Sequence, residues 1–152
     1  HVTHEGDEAS LFSDSILIIE DGQVINKGTF TEIINSPMNV VSAELLGLRT
    51  VWAPDAHFRD GTWSFSTPFG SIEYDGSESE RYQLLLRPEH IQVLNNGLEG
   101  VVAKSFHRAG QKYINCSVGN IKNLTVLVDS DISVGESIYL AVDLDSIEVL
   151  VA

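Results

Sequence analysis

Histidine is the residue type in this chain best suited to acid–base or ligand chemistry. His4 closes the segment 2–4, whose composition predicts the end of a buried strand. A histidine there either contacts a ligand or hydrogen-bonds its own fold, and from the residue alone the structural role is the more common one. His57, His90 and His107 lack the close spacing of metal ligands, so no metal site is expected.

Cys116 is the only cysteine, which excludes an internal disulfide and a multi-cysteine metal site. Because its neighbours predict a strand, we interpret it as a small residue of the core. A single cysteine also fits a reduced, cytoplasmic setting.

The composition is that of an acidic globular protein. The chain has 152 residues, of which 43% are hydrophobic and 20% charged, and its formal charge is −13. Such a charge repels phosphate backbones and anionic lipid, so nucleic acid is not expected as a partner. Residues 129–152 carry acidic side chains without one Lys or Arg, which favours a solvated face. Asp129 and Asp131 suggest a Ca²⁺ loop, but the other acidic residues lack the close spacing that such a loop needs. No apolar run approaches the ~20 residues of a membrane helix.

The first 36 residues predict a small α/β pattern. Asp21 and Gly22 form a strong hairpin signal, and Thr29 or Thr31 is placed to cap a short helix. Because two or three strands with so little cover cannot form a core, this segment must pack either on protein outside this sequence or on the rest of this chain. The expected elements are a helix over 5–13, a strand over 16–19 buried on both faces, a returning strand over 23–27 and a helix that ends at 35–37.

Beyond Pro37 the chain becomes rich in strands. Short apolar segments alternate with turn signals, a pattern typical of a small barrel or sandwich. The predicted strands are 63–65, 69–74, 82–86, 98–106, 111–118, 124–128, 137–142 and 146–151, after a helix or extended connection over 38–48.

An ordered set of residues in the segment 2–34 resembles the last part of the ATPase domain of ABC transporters. The family pattern is Val-Thr-His-Asp, Glu-Ala, Asp-Arg-Ile, Gly, Gly-Thr-Pro and Glu-Ile. Glu5, Ser15 and Phe30 depart from it, where the family has Asp, Arg and Pro. The matching residues are Val2, Thr3, His4, Glu8, Ala9, Asp14, Ile16, Gly22, Gly28, Thr29, Glu32 and Ile33.

The second part of the chain is similar to the region after that domain in importer subunits. The resemblance implies a mainly β fold: a small OB-like barrel of the TOBE type over residues 37–152, preceded by an α/β remnant of the ATPase domain over residues 1–36. We expect Arg87 and Glu89 to form a salt bridge or to contact the ATPase domain. The residues that carry it are Pro37, Asn39, Ala43, Leu46 and Gly47 of a linker, the motif Arg87-Pro88-Glu89-His90-Ile91, and Gly100-Val101-Val102 and Val134-Gly135-Glu136 of closing strands.

The resemblance implies that His4 is the switch histidine, which reaches the γ-phosphate of ATP held between two subunits. An imidazole so placed can hydrogen-bond a phosphoryl oxygen and orient the attacking water. The phosphate loop, the Mg²⁺ ligand and the catalytic Glu are expected upstream of His4, since the sequence has no G-x-x-x-x-G-K-[ST]. Met38 is the only methionine, which also indicates a piece of a longer protein. This chain alone is therefore expected neither to bind ATP tightly nor to hydrolyse it.

The function implied is that of the C-terminal regulatory and dimerisation region of an ABC importer's ATP-hydrolysing subunit. ATP and Mg²⁺ are its expected cofactors in the full-length protein. Expected partners are the rest of its own ATPase domain, a second ATPase subunit in a homodimer, transmembrane permease subunits and, as an open alternative, a small regulatory ligand. The subunit would lie in the cytoplasm, peripheral to the inner face of the membrane. A different interpretation is a stand-alone barrel that binds an oxyanion such as molybdate; the transported solute is not specified by these residues.

Overall fold

The structure is a computed structural model that describes residues 1–46, 49–108 and 110–152, so Gly47 of the linker motif lies outside the described residues. The mainly β prediction is confirmed, because short antiparallel strands dominate the chain. In chain order the elements are α1 (Gly6–Phe12), β1 (Ile16–Glu20), β2 (Gln23–Gly28), α2 (Phe30–Asn35), α3 (Val40–Leu46), β3 (Thr50–Trp52), β4 (Asp55–Arg59), β5 (Thr62–Thr67), β6 (Gly70–Asp75), β7 (Tyr82–Leu86), β8 (Ile91–Leu94), β9 (Leu98–Arg108), β10 (Gln111–Val118), β11 (Ile121–Val128), β12 (Ser137–Val142) and β13 (Glu148–Val151).

The N-terminal helix and hairpin form as the sequence predicts, but their burial differs. Asp21 and Gly22 take φ values of 49° and 77°, as a tight hairpin turn between right-twisted strands requires. The expectation that the strand over 16–19 is buried on both faces is wrong. Leu17 and Ile19 are 55% and 63% exposed, because only the opposite face of the hairpin is covered. That covered face carries Ile16 and Ile18, which pack with Ile33, Ala9, Ile25, Phe30 and Val41.

The segment 2–4 does not form the predicted end of a buried strand. It has no regular structure, and Val2 is fully exposed. The sheet next to it contains only β1 and β2 among the described residues, so no strand is available to pair with it.

Helix α2 begins and ends where the sequence indicates. The Thr29 side chain accepts a hydrogen bond from the Glu32 N–H at 3.2 Å, and the Glu32 carboxylate accepts one from the Thr29 N–H at 2.8 Å. This reciprocal capping box satisfies two N–H groups at the helix start. The hydrogen bonds that the Glu32 carboxylate makes with Thr29 hold the pKa of Glu32 below its usual value.

The β-rich body contains three sheets. The largest has the order β11-β10-β9-β12-β8, and the others are β13-β7-β3 and β4-β5-β6. Strands β7, β10 and β12 have the predicted bounds, whereas β3, β4 and β8 were not predicted. A tight turn at Asp60 and Gly61, with φ values of 52° and 88°, joins β4 to β5. Trp52, Phe58 and other aromatics lie in short runs that give little periodic signal.

One hydrophobic core joins the three sheets. The large sheet is curled, since its edge strands β8 and β11 contact each other without a ladder between them among the described residues. The core therefore lies inside the curl and is closed by the smaller sheets. Its buried members are Phe65, Leu84, Leu86, Ile91, Val102, Ile114, Cys116, Val118, Ile121, Leu124, Val126, Ile138, Leu140 and Ile147.

Gly100 marks a close approach inside this core. A Cβ there would lie 2.9 Å from Val118 Cγ2 and 3.4 Å from Cys116 Sγ. Gly100→Ala should lower the free energy of unfolding by about 1–3 kcal/mol, because the added methyl overpacks the core. Urea unfolding measures this, with Glu99→Ala on the exposed neighbouring position as the control. An unchanged midpoint for Gly100→Ala would contradict the packing.

Cys116 is confirmed as a core residue. Its side chain is buried, and burial raises the pKa of its thiol to about 11. At pH 8 the folded protein should react with an aromatic disulfide reagent about 10²-fold more slowly than the urea-unfolded protein, because the thiolate is the reactive form and is scarce in the fold. Comparable rates for the two states would contradict this burial.

Candidate functional site

His4 lies at the entrance to α1 with its side chain exposed. The side chain is 95% exposed, and its Nε2 is 3.6 Å from Glu5 Oε1. The backbone beside it is held by Thr3, whose hydroxyl donates to Glu8 Oε2 at 2.7 Å and accepts from the Glu5 N–H at 3.0 Å. His4 is therefore accessible to a ligand from solvent, on a backbone fixed by a local polar turn.

The described residues supply only one part of a nucleotide site. The exposed imidazole of His4 can donate a hydrogen bond to a phosphate oxygen. The sequence has no phosphate-binding glycine loop, and within residues 1–46, 49–108 and 110–152 no three His, Cys, Asp or Glu side chains are grouped to hold a metal. These residues alone do not fit ATP with Mg²⁺, so no catalytic step follows from them.

Three further histidines, His57, His90 and His107, lie on separate elements of the body. His57 is on β4, His90 ends the 3-10 turn Pro88–His90, and His107 is near the end of β9. The structure does not bring them to His4.

Two arginines of the β-rich body bind the carboxyl end of α2. Arg49 donates through Nη2 to the carbonyl of Ile34, and Arg87 donates through Nη2 to the carbonyl of Asn35 at 2.9 Å. The last carbonyls of a helix have no partner within the helix and carry partial negative charge. The two guanidinium groups thus attach the segment 1–36 to the body, and we call this contact the arginine joint.

Glu148 supplies the countercharge of the arginine joint. Its carboxylate accepts from Nε and Nη2 of Arg87, both at 3.3 Å. The Arg87 side chain is only 12% exposed, so this two-pronged pair is sheltered from water. The expected salt bridge between Arg87 and Glu89 is not the one that forms, whereas the expected contact of Arg87 with the segment 1–36 is present.

The surroundings of Arg49 disfavour its positive charge. Burial lowers the pKa of its guanidinium, the charge of Arg87 lowers it further, and Glu89 and Glu148 oppose these effects. Its Nε is buried without a hydrogen-bond partner in the described part of the chain. Two like charges therefore share one helix end, which they tolerate because carbonyls and carboxylates surround them.

Sequence reasoning missed Arg49 and Glu148. Arg49 comes just after the linker motif, and Glu148 is 61 positions from Arg87. No local pattern relates residues that far apart; only the pairing of β13 with β7 brings Glu148 to the joint.

Further contacts hold the segment 1–36 in place. Asn26 donates from Nδ2 to the Ser42 hydroxyl at 3.2 Å in a buried position. At the far end of β9, Arg108 forms an ion pair with Asp7 of α1. The tip of the β9–β10 hairpin thus contacts the helix that begins two residues after His4.

An open cleft of about 580 Å³ lies where the edges of the large sheet approach each other. Lys112 on its wall pairs with Asp131 at 2.7 Å, and this bond lowers the pKa of the Asp131 carboxyl. The cleft is lined by Val93, Gly110, Gln111, Lys112, Leu127, Val128 and Asp129.

The chain is similar along almost its whole length to ATP-binding proteins of ABC transporters. It is 26% identical over 159 residues to the spermidine/putrescine import ATP-binding protein PotA of Mycoplasmopsis synoviae (strain 53), covering 98% of this chain and 34% of that protein. It is 30% identical over 106 residues to the protein of the same name of Clostridium novyi (strain NT), covering 67% and 30%. It is 27% identical over 152 residues to the uncharacterized ABC transporter ATP-binding protein y4oS of Sinorhizobium fredii (strain NBRC 101917 / NGR234), covering 92% and 40%. No family model matches the chain.

These similarities make the chain a relative of ABC transporter ATP-binding proteins. It spans between 30% and 44% of the length of the curated relatives it matches. The resemblance drawn from the segment 2–34 is confirmed at this level, whereas the TOBE assignment stays a prediction.

The described part of the chain contains no helix with the length and hydropathy of a membrane span.

Removing the arginine joint should destabilise the protein. Arg87→Ala leaves Glu148 unpaired and the Asn35 carbonyl without its donor, so the free energy of unfolding should fall by about 1–3 kcal/mol. Arg59→Ala is the matched control, because Arg59 pairs with Asp60 on the surface with both side chains about 90% exposed, and should change it by less than ~0.5 kcal/mol. Urea unfolding compares the two. Equal losses would mean that the joint contributes nothing beyond a surface pair.

Proposed function

We propose that this chain is the C-terminal region of the ATP-hydrolysing subunit of an ABC importer. The observation that carries the proposal is the similarity to importer ATP-binding proteins over 94–99% of this chain in several relatives. Residues 1–36 would be the end of the nucleotide-binding domain, and residues 37–152 a TOBE-type accessory domain with regulatory and dimerising roles. The curled sheet and single core of the β-rich body support the second assignment.

An exposed apolar face supports the first assignment. Leu17, Ile19 and Val24 on the outer side of the β1–β2 hairpin are each more than half exposed, and so are Leu11 and Phe12 of α1. Contiguous apolar patches of this kind mark surfaces that are covered in the working protein. We assign the cover to the rest of the ATPase domain, because both faces of a central α/β strand are normally buried.

His4 would act as the switch histidine of that domain. Its exposed imidazole is free to hydrogen-bond the γ-phosphate of an ATP held by residues elsewhere in the subunit. ATP with Mg²⁺ supplies the phosphoryl chemistry when bound. The role of this chain is to present an imidazole at a fixed place, because Thr3 hydrogen-bonds to Glu5 and Glu8 and so holds the backbone around His4.

The arginine joint would connect this site to the accessory domain. It joins the end of α2 to β7, the strand that precedes the Arg-Pro-Glu motif, and the Arg108–Asp7 pair gives a second contact close to His4. Movements of the accessory domain would thus reach the nucleotide site through the arginine–carbonyl hydrogen bonds of the joint and through one ion pair. This arrangement supports a regulatory role for the body.

The partners we propose follow from the subunit assignment. They are a second copy of the ATPase subunit and transmembrane permease subunits, with the subunit in the cytoplasm against the inner face of the membrane. Several relatives are named for spermidine and putrescine import, which makes polyamines the first solutes to test.

The oxyanion-binding alternative receives little support from the cleft. Lys112 is the cation among its described lining residues, and its ammonium is already paired with Asp131. Asp129 adds a carboxylate to the same wall. Because an anion would meet net negative charge there, the alternative stays a prediction without a specific observation in its favour.

Replacing His4 tests the proposed role. In a subunit that carries this chain together with a phosphate-binding loop, His4→Ala should lower ATP turnover by about 10²-fold, the scale of a lost acid–base or orienting group. ATP binding should change little, because the phosphate loop supplies most of it. Steady-state phosphate release and nucleotide titration measure the two effects.

His57→Ala provides the matched control. His57 is also an exposed histidine, but it lies on β4 in the body, so its loss should leave turnover unchanged. Equal turnover in the His4→Ala and unsubstituted proteins would reject the switch-histidine assignment. Loss of nucleotide binding with His4→Ala would instead assign His4 to ATP binding and likewise contradict the role proposed.

A further inference from the structure

The two edge strands of the large sheet leave backbone groups unpaired on the same cleft. Val93 of β8 and Leu127 of β11 both line it, and β8 pairs only with β12 while β11 pairs only with β10 among the described residues. Strand edges are the places where a protein can accept another strand. Which way their N–H and C=O groups point therefore decides what the cleft can bind.

On β11 the ladder fixes the direction of Leu127. The N–H of Thr125 donates to the Thr50 hydroxyl at 2.9 Å, so Thr125 faces away from β10. The register is unbroken from Leu124 to Val128, and outward and inward groups alternate along an antiparallel strand. Leu127 therefore also presents its N–H and C=O away from β10, beyond the stretch that Thr50 covers.

On β8 the same argument applies through its neighbours. Val102 of β9 faces β12, since its N–H donates to the Glu136 carbonyl at 2.9 Å and its carbonyl accepts from Gly135 at 2.8 Å. Alternation in the unbroken register turns Leu140 toward β9, and its neighbours in β12 toward β8. Val93, opposite Leu140, consequently presents its N–H and C=O to the free edge.

Nothing within the described residues occupies these groups. The backbone hydrogen bonds outside the ladders include none to Val93 or Leu127. The exposed edge is also unguarded, because β8 has the sequence Ile-Gln-Val-Leu without a charge or a proline, and Val93 is 43% exposed. Proteins normally blunt such edges with Lys, Pro or a bulge unless the edge is used.

We propose that the cleft between β8 and β11 is a docking site for an extended, basic segment of a partner polypeptide, which adds to the sheet as a strand. The segment would lie in the cleft, with its backbone bonded to the free groups of Val93 and Leu127. About four residues would match the length of β8, at ~3.3 Å per residue. The inference does not depend on the transport role proposed above.

Charge selects the occupant. Lys112 is neutralised by Asp131, which leaves Asp129 as the uncompensated charge among the described lining residues, in a chain of net charge −13. A basic side chain on the added strand would meet Asp129, while an acidic segment would be repelled from this cleft. Apolar residues alternating with the basic ones would cover Val93 and Val128.

The test uses the 152-residue chain and an acetylated, amidated peptide of alternating lysine and valine, six residues long, with amide hydrogen exchange followed by NMR. In the free protein the amides of Val93 and Leu127 should exchange at least about tenfold faster than those of Gln92 and Val126, which face the ladders. The peptide should slow exchange at both sites. Its fully N-methylated counterpart, which keeps the charge and lacks N–H donors, should not.

Val93→Pro provides the matching variant. It removes an outward N–H and no ladder bond, so the protein should keep its thermal midpoint and bind the peptide at least about tenfold more weakly. Gln92→Pro removes an N–H that donates to β12, so it should lower the thermal midpoint. A difference between the two variants would show that the two edges of β8 differ.

Three results would overturn the proposal. One is a protected Val93 amide in the free protein, which would mean that the edge is already paired. Another is peptide binding that is absent, or that Val93→Pro leaves unchanged. The third is protection that grows with protein concentration in the absence of peptide, which would identify a second copy of the chain as the occupant.

Discussion

The arginine joint is the contact on which the arrangement of the whole chain depends. The segment 1–36 has a small core of its own around Ile16, Ile18 and Ile33, too small to hold a fixed position by apolar burial alone. Arg49 and Arg87 fix it by binding the one end of α2 where carbonyls are unpaired. Without these charges the N-terminal elements would be joined to the body mainly by α3 and a few polar contacts.

The joint shows how polar groups specify geometry where apolar burial cannot. Guanidinium groups bind carbonyl and carboxylate oxygens at defined angles, so a fit at Ile34, Asn35 and Glu148 permits only one orientation of α2. Two neighbouring positive charges raise the cost of any other arrangement. An apolar patch at the same place would have attached α2 to the body without fixing its orientation.

The parts of the fold predicted from sequence are those with local signals. The helix cap, expected at Thr29 or Thr31 and formed by Thr29, acts within a few residues, as do the turn at Asp21 and Gly22 and the alternation in β10 and β12. Burial was predicted less well: Ile16–Ile19 has the composition of a fully buried strand, yet Leu17 and Ile19 are exposed because no element of the described residues covers their face of the hairpin.

The candidate site divides in the same way. The role of His4 was predicted from its neighbours in a known pattern and stays a prediction, whereas the structural role of Arg87 needed Glu148, which no spacing rule connects to it. The free edges at Val93 and Leu127 are properties of strand order and ladder parity, which a linear sequence does not display. Sequence therefore identified the residues with chemical character, and only the topology identified their partners.

The pairing of β13 with β7 also has a consequence for how the protein is made. A ribosome releases β7 long before Glu148–Val151, so the edge of Leu84 and its neighbours stays open while about sixty residues are added at ~5–20 per second. Over the same interval Arg87 lacks its ion-pair partner, because Glu148 has not yet been synthesised. For several seconds the nascent chain thus exposes both an unpaired, aggregation-prone strand edge and a cation without its counterion. Ribosome-bound chaperones protect intermediates of this kind.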